Sequence, residues 1–138
     1  MSEAFQRDTF DPPGVFAHPG YSRVCTVAGP AKMILIAGQT PTDEDYRCVA
    51  PGDMRGQFLK VMENLEIQLA ATGASWDDVI YRRFFTLDVD ALVAVAMDPS
   101  IATYFSKQPP STLIGVTRLS DPDFLLEIEV WAAVADDV

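Results

Sequence analysis

An α+β fold in the order β-β-α-β-α-β-β, with its helices on one face of a mixed sheet, is what this chain predicts. Three observations carry that expectation. Strand-like apolar segments cluster at both ends, a long stretch in the middle repeats its apolar residues at helical spacing, and a β-branched and aromatic run separates that stretch from a second helix.

Taken in order, residues 1–20 hold Pro12-Pro13-Gly14 and Pro19-Gly20 and read as an irregular lead-in. YSRVCTVAG alternates, MILIAGQ is continuously apolar and Gly29-Pro30 stands between them, so residues 21–38 are expected to form a β-hairpin. A polar loop follows. Asp53 is placed to cap a helix in which Phe58, Val61, Met62, Leu65 and Leu69 share one stripe, ending before Gly73. VIYRRFFTLDV at 79–89 reads as a third strand. ALVAVAM opens a second helix that Asp98-Pro99 interrupts, with a restart toward Tyr104-Phe105. STLIGVTR and FLLEIEVWAAV flank the turn-rich LSDPD and are expected to close the fold as a hairpin. Pairing Arg118 with Phe124 would set Gly115 opposite Glu127, Leu113 opposite Glu129 and Ser111 opposite Trp131.

The last strand poses the functional question. Side chains alternate across a strand, so Leu126, Ile128 and Val130 share one side while Glu127, Glu129 and Trp131 share the other. The first side is core. The second fits a solvated face, a subunit interface or a pocket wall.

With 138 residues, 49% of them hydrophobic, the chain is expected to build one domain over 1–138. Its formal charge of −10 opposes phosphate backbones and anionic lipid, so nucleic acid and membranes are not expected partners. No apolar run reaches the ~20 residues of a membrane helix. No secretory leader is evident at the N-terminus, and two cysteines, Cys25 and Cys48, match no metal spacing, which points to free thiols in the cytoplasm. The single histidine, His18, precludes a multi-imidazole metal cage and reads as a loop residue. Neither a metal nor a cofactor is expected.

AGQTP at 37–41, Gln57 followed by Glu63-Asn64-Leu65, TGASWDDV at 72–79 and VTRLSDPDFLLEIEVWA at 116–132 occur in one order across about residues 21–133. Together they resemble the YjgF/Rid family, also called reactive intermediate deaminases and given older L-PSP or translation-inhibitor labels. The resemblance implies a chorismate-mutase-like fold and a homotrimer whose sheets face inward as a barrel, with small-molecule clefts between subunits. It selects the interface among the three readings of the Glu127, Glu129 and Trp131 side.

In deaminating members water adds to a small imine or enamine, releasing ammonia and a 2-oxo acid. The resemblance carries Glu127 over as the acid that orients this water, Tyr21 as the tyrosine at the cleft mouth and Gly38 as backbone lining the cleft. It also implies an arginine for the substrate carboxylate where Ser111 stands, a cysteine at Leu113 and an asparagine near Ala96 or Met97. Ser111 offers one neutral donor in place of two charge-assisted ones. Arg23, on the same expected strand face as Tyr21, is the substitute candidate for the carboxylate. Arg118 matches a family arginine read as structural. Each of these residues also has a plain reading: edge packing for Tyr21, backbone geometry for Gly38, an intersubunit ion pair for Glu127 and a surface charge for Arg23.

Two functions follow as expectations, a Rid-like hydrolase of altered substrate preference or a non-catalytic trimer that binds a small ligand. The nuclease reading attached to older labels is opposed by the acidic charge.

Overall fold

Helix α1, Met54–Ala71, forms because its apolar residues recur every three or four positions: Phe58, Val61, Met62, Leu65 and Leu69 are all buried along one stripe. Asp53 stands at its N-cap, although its side chain makes no capping hydrogen bond, and Gly73 at φ +81° follows the C-cap Thr72. The computed structural model describes residues 4–105 and 108–136. Along these run β1 (Gln6–Phe10), β2 (Val24–Ala28), β3 (Ala31–Gln39), α1, β4 (Val79–Thr86), α2 (Val89–Ala96), β5 (Ser111–Gly115) and β6 (Leu126–Ala135). No helix among the described residues is long and apolar enough to cross a membrane.

Strands β3, β6, β4 and β5 lie side by side in that order in a mixed sheet, with β6 antiparallel to both β3 and β4 and β5 parallel to β4. Ile34 and Ile36, Leu126, Ile128 and Val130, and Phe84 turn to the helices and join the α1 stripe in the core. The α+β class, the mixed sheet and the helices packed on it agree with the sequence. So does the break after α2: Met97 caps it, and Pro99–Phe105 continues as a 3₁₀ turn started by Asp98, whose Oδ1 accepts from the Ser100 N–H at 2.9 Å.

Three expectations are corrected. The closing hairpin does not form: β5 pairs with β4, and β6 lies in the centre of the sheet. Adjacency and a turn-rich connector favour a hairpin, but β6 is ten residues long and its apolar side is fully buried. A central position gives such a strand partners on both edges. Second, β2 and β3 do follow each other through Gly29, at φ +81°, and Pro30, yet they belong to different sheets. Third, residues 1–20 are not wholly irregular. Gln6–Phe10 pairs antiparallel with β2, a polar strand without alternation that is held by Arg7, which bonds the Ala133 carbonyl and meets Asp78 at 3.1 Å.

Gln57 joins α1 to the connector before β6. Fully buried, it donates from Nε2 to the Asp123 carbonyl at 2.9 Å and accepts from the Leu125 N–H at 2.8 Å. Gln57→Leu orphans both backbone groups, so a loss of about 2–4 kcal/mol is expected. A urea titration would read it as a lower midpoint with the slope unchanged.

Candidate functional site

A cavity of about 820 Å³ opens between β4–β5 and the α2–3₁₀ segment. The cross-strand register explains which residues reach it. Arg82 is paired with Ser111 and Phe84 with Leu113, so all four project to the helix side of the sheet. Leu92, Val93 and Met97 of α2 and Phe105 of the 3₁₀ turn supply the opposite wall, and His18, Gly20 and Tyr21 of the lead-in close one end. The Tyr21 ring stacks on His18 with centroids 4.5 Å apart.

The Ser111 hydroxyl donates to the Pro109 carbonyl at 3.1 Å and accepts from Arg82 Nε at 2.5 Å. Its one proton is therefore already committed. Arg82, 4% exposed, is the buried cation of the cavity. Its Nη1 and Nη2 donate to the Tyr104 and Gly20 carbonyls at 3.4 and 3.3 Å, and its guanidinium carbon lies 4.4 Å from the Phe105 ring centroid. Burial pulls its pKa down to about 9.

Glu127 lies elsewhere. Its register partner is Phe85, which alternates away from Arg82 and Phe84, so Glu127 projects from the other face of the sheet. Beside it, β3 bulges between Ile36 and Gln39, and Gly38 sits in the bulge. A Cβ there would stand 2.1 Å from Glu127 Oε2, so only glycine lets the carboxylate lie against β3. Burial, and then the Glu129 carboxylate, push the Glu127 carboxyl above its ordinary range. Glu129 itself is held by Arg83 at 2.7 Å, within the chain.

The residues singled out from sequence thus fall into two groups. Tyr21, Ser111 and Leu113 share the cavity; Gly38 and Glu127 share the opposite face. Arg23 joins neither. Tyr21 and Arg23 precede β2 and share no strand face, and Arg23 spends Nε on the Phe16 carbonyl at 2.8 Å with its guanidinium carbon 5.5 Å from the Tyr21 ring centroid. Ala96 and Met97 do line the cavity, so the expected loss of a polar contact there is a loss within the cavity wall.

Residues 15–134 match the family described as Endoribonuclease L-PSP. The chain belongs to the YjgF/Rid family. A RutC family protein of Pyrococcus horikoshii is 34% identical over 101 residues, which cover 72% of this chain and 78% of that protein. The crystal structure of a Rid-family protein of unknown function from Yersinia pestis superposes with TM-score 0.80 at 25% identity, covering 93% of this chain and 98% of that one. A YjgF/YER057c/UK114 family member from Mycobacterium tuberculosis reaches 30% identity with TM-score 0.59, over 94% and 100% of the two chains.

Measured against the Rid pattern, Arg82 is the residue that sequence reasoning passed over. Arg82 and Arg83 are neighbours on one strand, so alternation guarantees one on each face. Which of them enters the core follows only from the pairing of β4 with β6 and β5. Burial of Phe84 and Thr86, at the same parity as Arg82, is the local trace of that choice.

Proposed function

We propose that the protein is a Rid-type hydrolase of a small imine or enamine, working as a homotrimer whose sites are completed between copies. One copy supplies the cavity of Tyr21, Ser111 and Leu113, and another supplies Gly38 and Glu127. The observation that carries this reading is the Glu127 carboxylate lying on Gly38, its pKa raised, on the sheet face that also bears the Arg83–Glu129 pair and Trp131. Separation of the two groups by the sheet supports their union across an interface rather than within one chain.

In this scheme an enamine is first protonated at carbon to its imine. Glu127 then takes a proton from water as the oxygen adds to the C=N carbon and returns it to nitrogen, giving a carbinolamine; the proton of its new hydroxyl is then carried to nitrogen as the C–N bond breaks, so that ammonia leaves and a 2-oxo acid remains. Glu127→Gln, which keeps the shape and removes the base, is expected to lower ammonia release from freshly generated 2-aminoacrylate by about 10²–10⁴-fold. Undiminished release would discard the mechanism. Since the base must be ionised, the acid limb of activity is expected above the ordinary carboxylate range. Glu129→Gln removes one of the two causes of the shift, so a pH–rate profile should show that limb moving to lower pH.

The second reading, a binding trimer without turnover, is favoured by the engaged Ser111 hydroxyl and by the apolar Ala96 and Met97. Ligand binding without product would select it. RNA cleavage is disfavoured by the −10 charge. Among the described residues no group of three His, Cys, Asp or Glu side chains is placed to hold a metal. An RNA titration at low ionic strength showing salt-sensitive association would reopen it.

A further inference from the structure

We propose that Arg82 is the anion-holding residue of the cavity, and that the ligand it holds is a carboxylate carrying a bulky apolar or aromatic group. This inference rests on the reading of the cavity as the ligand site.

A guanidinium has five N–H donors. Three of those on Arg82 are taken by Ser111 Oγ, the Tyr104 carbonyl and the Gly20 carbonyl, all neutral acceptors. One donor remains on each terminal nitrogen, and two such donors match the two oxygens of a carboxylate. No acid among the described residues neutralises the charge. Asp98, the one carboxylate on the cavity wall, is committed to Arg55 at 2.8 Å and to the Ser100 N–H at 2.9 Å. A buried cation without a counter-ion raises the free energy of the folded chain, and an incoming anion relieves that cost. The downward pull on the Arg82 pKa comes from burial alone, which is the signature of a missing negative partner.

The donors are also held in place. Arg82 Nε is fixed on Ser111, its register partner on β5, and the guanidinium packs over Phe105, so the group is oriented before any ligand arrives. Ser111 acts here as a positioning residue: it accepts from Arg82 and sends its own proton to Pro109.

The remaining wall defines the rest of the ligand. Phe84, Leu92, Val93, Met97, Phe105 and Leu113 give the cavity of about 820 Å³ an apolar wall. A cavity of that size leaves room beyond a three- or four-carbon acid, and apolar walls reward an apolar tail. An anionic head on Arg82 and a hydrocarbon or ring against α2 together satisfy the site.

The test is calorimetric titration of the full chain with 3-phenylpropanoate, its neutral amide and acetate. The natural protein is expected to bind the acid at least about tenfold more tightly than the amide, which lacks the charge, and than acetate, which lacks the tail. Equal affinity for acid and amide, equal affinity for acid and acetate, or no binding of the acid at millimolar concentration would each overturn the proposal. These comparisons need no variant. Arg82→Gln, checked for its fold by circular dichroism, is expected to abolish the preference for acid over amide; a retained preference would overturn it. Amide-resonance shifts on adding the acid should centre on Gly20 and Leu113, and shifts confined to the opposite sheet face would also overturn it. Because binding is read without turnover, loss of ammonia release with the acid preference intact removes only the hydrolase reading. Loss of the preference with hydrolysis intact removes only this one.

Discussion

Trp131→Glu is expected to leave the protein monomeric at concentrations where the natural chain, on the trimer proposed above, is expected to sediment as three copies. Opposite the helices, the sheet presents Leu35 at 62%, Met33 at 46% and Trp131 at 41% exposure, with Tyr81 and Phe85 beside them. Leu35 and Tyr81 are the register partners of Trp131 on its two sides, so Trp131 stands in the middle of this apolar row. Large apolar side chains this exposed, beside the Arg83–Glu129 pair, support the proposed interface on this face. Placing a carboxylate at its centre buries an unpaired charge in every copy of the interface, a cost of about 2–5 kcal/mol each. The monomer itself should keep its fold, because Trp131 takes no part in the core under the helices. Sedimentation equilibrium with circular dichroism separates the two effects. The proposed hydrolysis should then be lost as well, since Glu127 and the cavity lie on opposite faces of a lone sheet. A Trp131→Glu protein that still sediments as a trimer would place the interface elsewhere. A natural chain found monomeric would remove the shared site altogether.

How much of this could be read from sequence depends on whether the signal was local. The α1 stripe, the Asp98-Pro99 break and the two-sided character of β6 are periodicities or turn chemistry contained in short windows, and each is found where it was expected. Strand neighbours are another matter. The β5–β6 hairpin was read from proximity in sequence, whereas the real partners of β6 are β3 and β4, neither of which adjoins it in sequence. That one error carried the site with it. Pairing Ser111 with Trp131 would have put the hydroxyl on the Glu127 side; pairing it with Arg82 puts it on the other. Ser111, taken alone, reads as the loss of a cation. Beside its true neighbour, it orients one.

Phe58→Ala should produce the largest loss of stability and should also weaken the ligand site, although Phe58 does not line it. The ring, wholly buried on α1, lies 6.2 Å from Phe105 and 6.3 Å from Tyr104 between centroids. Phe105 is in turn the surface on which Arg82 rests, at 4.4 Å, and the Tyr104 carbonyl accepts from Arg82 Nη1. Truncating Phe58 therefore removes the support of the 3₁₀ turn from beneath, at a cost of about 3–5 kcal/mol. Against a total of about 5–15 kcal/mol that is a large share, and a fall in melting temperature on the order of 10 °C is expected. The second consequence follows from the aromatic column. If Phe105 relaxes into the space left by Phe58, Arg82 loses its packing partner and part of its fixed orientation, so affinity for 3-phenylpropanoate should fall together with its margin over the amide. Phe58→Leu, which refills most of the volume, should recover the greater part of both. Destabilisation with the acid preference unchanged would mean that Ser111 and Gly20 alone hold the guanidinium, and that the core beneath Phe105 serves stability without reaching the ligand.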